Sequence, residues 1–338
     1  MIPFIVVRRA NFYNYRLIQS KLKIKTQPRL DRCIIVGGKE EVMIERKNKK
    51  VIAAEAGILV VAICWGMGFV AGKYALQDMG PFDVLAYRYV FAFLIMLVCT
   101  VKHWKNITKK MLIAASGIGS LMFFGNMIQT IGLQYTTPGK QTFIICMYTV
   151  LVPLLSWLFF KERAPKNIII AAIIAFVGIG LLTLKDNLTL GFGDILTFIF
   201  AITFSIHVIL VGKFMTEDAD PLAFTLVQIG VCALLSVVGM FIFGDCTPLT
   251  KLSGPGALGL LQLILLNTTL AYLLQNACQK IAPANHVAIL MSTETVFGTF
   301  FAVTLADETF TGRMMVGVVL MFVALVVSNI PMGKGNRQ

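Results

Sequence analysis

Charge is scarce in this sequence. Asp, Glu, Lys and Arg together supply 14% of its 338 residues, where a soluble domain of similar size carries roughly a quarter. The charges are also clustered, and long stretches between the clusters have almost none. Catalytic signatures are equally thin. There is no His-Glu-x-x-His, no Gly-x-Ser-x-Gly and no phosphate-binding loop, and the three histidines (His103, His207, His286) lack metal-ligand spacing. The seven cysteines (33, 64, 99, 146, 232, 246, 278) form no Cys-x-x-Cys pair. They read as small packing residues, not as a disulfide or metal framework. No cofactor and no metal are expected. The short alternating segments of a transmembrane barrel are missing too.

What is present is apolar. Hydrophobic residues make up 57% of the chain and the mean hydropathy is +0.80. A helix needs about 20 apolar residues to cross a bilayer, and in lipid it satisfies its own backbone. Apolar runs between charged or Pro/Gly punctuation give ten segments: 53–76, 82–101, 111–133, 139–160, 167–184, 193–212, 221–243, 257–280, 284–306 and 313–330. This predicts an all-α integral membrane protein with ten transmembrane helices, whose partners are the lipid bilayer and a small-molecule substrate.

The net charge of +13 does not point to nucleic acid. Nine of the thirty basic residues fall in residues 1–42, and most of the others sit in short loops, where they orient helices. With the N-terminus in the cytoplasm, 15 Lys and Arg fall on the cytoplasmic side and five (Lys73, Lys140, Lys185, Lys251, Arg313) on the other. Both termini, including a short tail at 331–338, are therefore expected in the cytoplasm of a plasma-membrane protein. Residues 1–42 are a basic extension without periodicity. Gly37-Gly38-Lys39-Glu40-Glu41, just before Met43, has the purine-rich codons of a ribosome-binding region. The extension is thus either a disordered tail or sequence upstream of a natural start at Met43.

The two halves match. Gly72-Lys73 and Pro81 recur as Gly212-Lys213 and Pro221, while Gln134 and Pro138 recur as Gln279 and Pro283, and Glu162 as Glu308. Repeats at 53–184 and 193–330 follow, each with five helices. An odd number makes the second repeat enter the membrane from the opposite side. Such inverted repeats suit a carrier that opens a midplane site alternately to each face.

Several motifs carry a resemblance. They are Trp65-Gly66-Met67-Gly68-Phe69, Pro81-Phe82 with Arg88-Tyr89, Gly132 through Gln141, Lys161-Glu162-Arg163, and Glu294 with Asp307-Glu308. In these the sequence resembles the EamA-type branch of the drug/metabolite transporter superfamily over about residues 53–330. The ninth helix of that branch often reads Glu-Pro where this chain has Glu294-Thr295. The resemblance implies a 5+5 inverted-repeat permease for small metabolites, often in export, driven by proton coupling or exchange.

Candidate substrate and proton groups follow from polar residues at membrane depth. Glu294 lies about ten residues into the ninth segment, near mid-membrane, where a charge costs roughly 2.5–3.5 kcal/mol on insertion scales. It is expected to face a cavity, as a proton carrier or an amine site, or else to bond a neighbouring helix. Arg88 is roughly 9 Å deep and either snorkels, faces an anion or pairs with a glutamate. Thr268, Tyr272, Gln275 and Gln279 form a stripe on the eighth segment, lining a cavity or sealing against a polar helix. Asn126, Gln129, Gln141 and Tyr148 are first-half candidates, and His207 is a relay or a packing residue. Trp65, Gly68 and Gly72 share a face assigned to helix packing. The fifth and tenth segments carry no polar side chain over 168–182 and 314–327, so they should face lipid or packing partners. A secondary carrier for amino acids or related compounds is the expected function. An intramembrane enzyme or a channel-like pore are the alternatives.

Overall fold

The computed structural model describes residues 33–136, 138–183, 191–216, 218–305 and 311–330. Thr137, Lys185, Asp307, Glu308, the tail 331–338 and the first 32 residues of the N-terminal extension lie outside the described residues. The chain divides into two compact units at Lys49/Lys50. In the first, residues 33–49 are helical. The second begins at Lys50 and holds everything below.

Among the described residues every regular element is helical. The helices are α1 (Lys50–Asp78), α2 (Pro81–Cys99), α3 (Lys109–Tyr135), α4 (Pro138–Ile145 and Tyr148–Phe160) and α5 (Lys166–Thr183), then α6 (Phe192–Phe214), α7 (Pro221–Phe243), α8 (Gly254–Gln279), α9 (Ala284–Met291 and Glu294–Leu305) and α10 (Gly312–Asn329). Seven of them, α1–α3 and α6–α9, are long and apolar enough to cross a membrane. The second piece of α4, together with α5 and α10, supplies shorter apolar helices. The repeat is visible at helix starts: Pro81 and Pro221 both occupy the first turn, where a missing N–H leaves no bond unmade.

Both repeats break one helix at the same place. α4 is interrupted at Cys146–Met147 and α9 at Ser292–Thr293, 146 residues later, the offset that relates Glu162 to Glu308. Local chemistry explains the second break. Ser292 Oγ donates to the Ile289 carbonyl, Thr293 Oγ1 to Leu290 and Thr295 Oγ1 to Ser292. These hydroxyls compete for helix carbonyls while the backbone tightens into three-residue bonds at Thr293 and Thr295. In α4, Pro153 withholds the donor that the Thr149 carbonyl would accept, which weakens the turn beside the break. The expectation of unbroken segments over 139–160 and 284–306 is corrected at these two points. α8 departs differently, widening into a π-helix over Leu263–Leu270, with Thr269 Oγ1 donating to Ile264 O five residues back (2.8 Å).

Packing follows the duplication. α2 lies against α7, and α5 against α10. The α3–α6 contact has its counterpart in α1–α8, where Gln262 Nε2 donates to the Cys64 carbonyl (2.9 Å). Likewise α4–α6 is matched by α1–α9, where a Cβ on Gly66 would lie 2.7 Å from the Glu294 carbonyl oxygen. Exchanging the halves thus reproduces the contact pattern. The featureless fifth and tenth segments meet at Gly178 and Gly317 and turn Ile173, Val177, Val319 and Phe322 outward. Apolar side chains exposed in this way need lipid around them.

Candidate functional site

A cavity enclosing about 680 Å³ of atom-free space, its mouth included, lies between α1, α2, α3, α4, α6, α8 and α9. Its lining runs from the middle of these helices toward the end that carries Asp78. Arg88 is the one cation and Glu294 the one carboxylic acid among its described lining residues.

The π-helical stretch builds the Arg88 site. It presents Asn267 and Thr268 side by side: Arg88 Nε donates to Thr268 Oγ1 (2.5 Å) and Nη2 to Asn267 Oδ1 (2.7 Å). The unwound backbone is used as well, since Trp65 Nε1 donates to the Asn267 carbonyl (3.0 Å). Gly68 is needed here because an added Cβ would overlap the Asn267 amide. Arg88 is only 6% exposed, so it does not snorkel to a surface.

The helix breaks build the Glu294 site. Glu294 opens the second piece of α9, directly after the interruption at Ser292–Thr293. Its Oε1 accepts from Cys146 Sγ (3.3 Å) at the break in α4 and from Tyr148 Oη (3.4 Å) just past it. The two interruptions therefore face one another across the carboxyl group.

Between these groups, Asn126 Nδ2 donates to Tyr272 Oη (3.1 Å), and Gln141 Nε2 to the Gln129 carbonyl (2.9 Å). Phe204 is an aromatic hub, with its ring centroid 5.5 Å from that of Trp65 and 5.3 Å from that of Tyr148. Of the sequence candidates, Glu294, Arg88, Tyr272, Asn126, Gln129 and Gln141 line the cavity, while Thr268 and Tyr148 stand one hydrogen bond behind it. Trp65, Gly68 and Gly72, assigned to packing, line it too.

Gln275 and His207 lie elsewhere. Toward the Lys50 end, the polar stripe of α8 is sealed against α6 and α7. Gln275 Nε2 donates to Gln279 Oε1 (3.1 Å), Gln279 Nε2 to the Val208 carbonyl (2.8 Å), and Asn276 Nδ2 to Gln228 Oε1 (2.7 Å). His207 Nε2 is 3.3 Å from Gln228 Nε2. Three atoms in this layer, His207 Nδ1, Gln275 Oε1 and Asn276 Oδ1, are buried without a partner.

Sequence reasoning missed Asn267, Phe200 and Phe204. The first was signalled by Asn267-Thr268-Thr269 inside an apolar run; nothing distinguishes the two phenylalanines from lipid-facing ones.

Comparison with known proteins bears out the repeat. The model of the EamA-like transporter family matches twice, at residues 52–184 and 191–330. The chain belongs to this family. Among similar proteins, an uncharacterized transporter of Archaeoglobus fulgidus is 28% identical, over 83% of this chain and 87% of its own length. One from Helicobacter pylori 26695 is also 28% identical, over 81% of this chain and 93% of its own. A solved crystal structure, 16% identical, has the same fold with a TM-score of 0.67, covering 82% of this chain and 96% of that one. The protein is a multi-pass membrane transporter of the drug/metabolite type. Family and relatives point to transport and not to an enzyme.

Proposed function

We propose that this EamA-family protein is a secondary transporter for small metabolites, amino acids or related compounds, working as an exporter or exchanger by alternating access. In this reading ten transmembrane helices form two inverted five-helix repeats, 53–184 and 193–330, with both termini in the cytoplasm and the protein in a bacterial cell membrane. Residues 1–42 precede the transport unit, and 331–338 form a tail.

One asymmetry carries the reading. The cavity reaches from mid-depth toward the Asp78 end only, whereas the equivalent route toward the Lys50 end is filled by the packed layer of His207, Gln228, Gln275, Asn276 and Gln279. Leaving buried polar atoms unpartnered costs about 1–3 kcal/mol each, so a permanently dry layer would carry a standing penalty. A layer that becomes wetted when the bundle rocks regains those bonds. A continuous pore has no use for such a plug.

Glu294, between the two helix breaks, is the proposed coupling group. It holds a proton or a substrate amine, and its neutralisation accompanies closure. The test is uptake of a labelled amino-acid panel into proteoliposomes under an imposed pH gradient. Flux should saturate, be stimulated by substrate on the opposite side, and lose its pH dependence in Glu294→Gln. Full pH-dependent flux in that variant removes Glu294 from coupling, and unsaturable flux removes alternating access.

A further inference from the structure

Arg88 is a buried charge with an unfinished coordination sphere. Its Nε and Nη2 are spent on two neutral acceptors, Thr268 Oγ1 and Asn267 Oδ1. The third nitrogen, Nη1, makes no hydrogen bond among the described residues, and no described carboxylate lies within 4 Å of the guanidinium. The Tyr89 ring offers partial compensation, its centroid 5.3 Å from Cζ. Yet the residue is 6% exposed and lines the cavity. A protein that takes a cation out of water ordinarily supplies a counter-charge. Here the chain supplies a rigid mount and brings no described carboxylate into contact with it, the acid of the same cavity, Glu294, being bonded to Cys146 and Tyr148 instead.

We propose that Arg88, mounted on Asn267 and Thr268, binds the carboxylate of a small organic substrate. The charge count selects a single anionic group, because no second cation stands among the described lining residues to meet a phosphate dianion. The walls select the remainder of the ligand. Trp65, Phe69, Phe200 and Phe204 line the same cavity, so the carboxylate carries an apolar or aromatic body. The planar fork of arginine suits a carboxylate in a way that a lysine point charge does not. The mount also uses the π-helical turn. The two consecutive side chains that reach one guanidinium lie in this widened stretch, as does the backbone carbonyl that accepts from Trp65. The role of this carboxylate as cargo rests on the transporter reading; its binding does not.

Trp65 is a built-in reporter. The chain has three tryptophans, and the other two, Trp104 and Trp157, are exposed away from the cavity. In a background of Trp104→Phe and Trp157→Phe, purified in detergent, Trp65 fluorescence is titrated with phenylacetate, propionate, phenylacetamide and inorganic phosphate. Phenylacetate should saturate the signal and bind at least about 10-fold more tightly than the isosteric amide, the scale of a lost charge-assisted hydrogen bond. Arg88→Gln should erase the difference between acid and amide without weakening the amide. If Arg88→Gln does not purify, Arg88→Lys serves instead, with an acid preference reduced several-fold and unchanged amide binding. Equal binding of acid and amide, tighter binding of phosphate, silence toward both carboxylates, or an acid preference that survives Arg88→Gln would each overturn the proposal. Arg88-dependent carboxylate binding without saturable flux would leave this site standing and remove the transport reading; saturable flux with Arg88-independent binding would do the reverse.

Discussion

Replacing Gly66 by alanine adds one methyl group where α1 crosses α9. The added Cβ would stand 2.7 Å from the Glu294 carbonyl oxygen, 2.8 Å from the Gly298 nitrogen and 2.9 Å from Phe297 Cβ. These are about 0.5–0.7 Å short of the 3.4 Å at which ordinary contact begins. Two of the three atoms are backbone and cannot rotate away, so the helices must separate. Overpacking of this kind costs about 1–3 kcal/mol. Gly117→Ala on α3 is the control, since nothing lies within 4 Å of its Cβ. Both variants share the gain of about 0.5–1 kcal/mol that alanine brings to a helix interior, so their difference isolates the cost of separation. Thermal unfolding in detergent should place Gly66→Ala several degrees below Gly117→Ala, with the control at or above the parent. The separation also moves Glu294 against Cys146 and Tyr148, so substrate flux should fall in Gly66→Ala alone. Coincident unfolding curves would refute the tight α1–α9 crossing and, with it, the placement of Glu294.

Two further outcomes are expected. Burial works against ionisation of Asp220, the cap of α7, but hydrogen bonds from Asn106, His103 and the Leu222 and Ala223 N–H groups outweigh it and hold its pKa below the ordinary value. A depressed carboxylate contributes stability above its unfolded pKa of about 3.9 and loses it as pH falls through the folded value. Asp220→Asn should therefore unfold more readily than the parent at neutral pH, with the gap closing below about pH 4; a gap that widens on acidification contradicts the assignment. Single cysteines introduced at Asn48 and at Asn329, in a chain otherwise free of cysteine, should react with an impermeant maleimide from the same side of the membrane. Labelling from opposite sides rules out five helices per repeat.

Much of the fold was legible because membrane helices advertise themselves by length and apolarity, and the repeat by recurring Gly-Lys and Pro at a near-constant offset. The featureless fifth and tenth segments pointed correctly to packing partners. The site was legible in its charged members, because a carboxyl or guanidinium in an apolar run has to be accounted for. Its geometry was not. Periodicity treated α8 as one polar stripe, whereas the π-helical turn makes Thr268 part of the Arg88 mount while Gln275 and Gln279 are buried on the side of α6. The breaks in α4 and α9 depend on hydroxyl–carbonyl bonds and on Pro153, which a hydropathy reading passes over. Phe204 escaped notice because its role is set by neighbours from α1 and α4 that lie far away in sequence.

The paired interruptions in α4 and α9 also bear on how such a protein changes its diet. Side chains like Arg88 and the phenylalanine walls are one codon away from something else, whereas the tightened turns at the breaks are closed by main-chain bonds, Thr149 N–H to the Cys146 carbonyl and Thr295 N–H to the Ser292 carbonyl, that almost any residue can supply. Recognition can therefore drift through the replaceable groups while the interruptions that bring α4 and α9 together around Glu294 stay in place, and duplication has provided such an interruption twice.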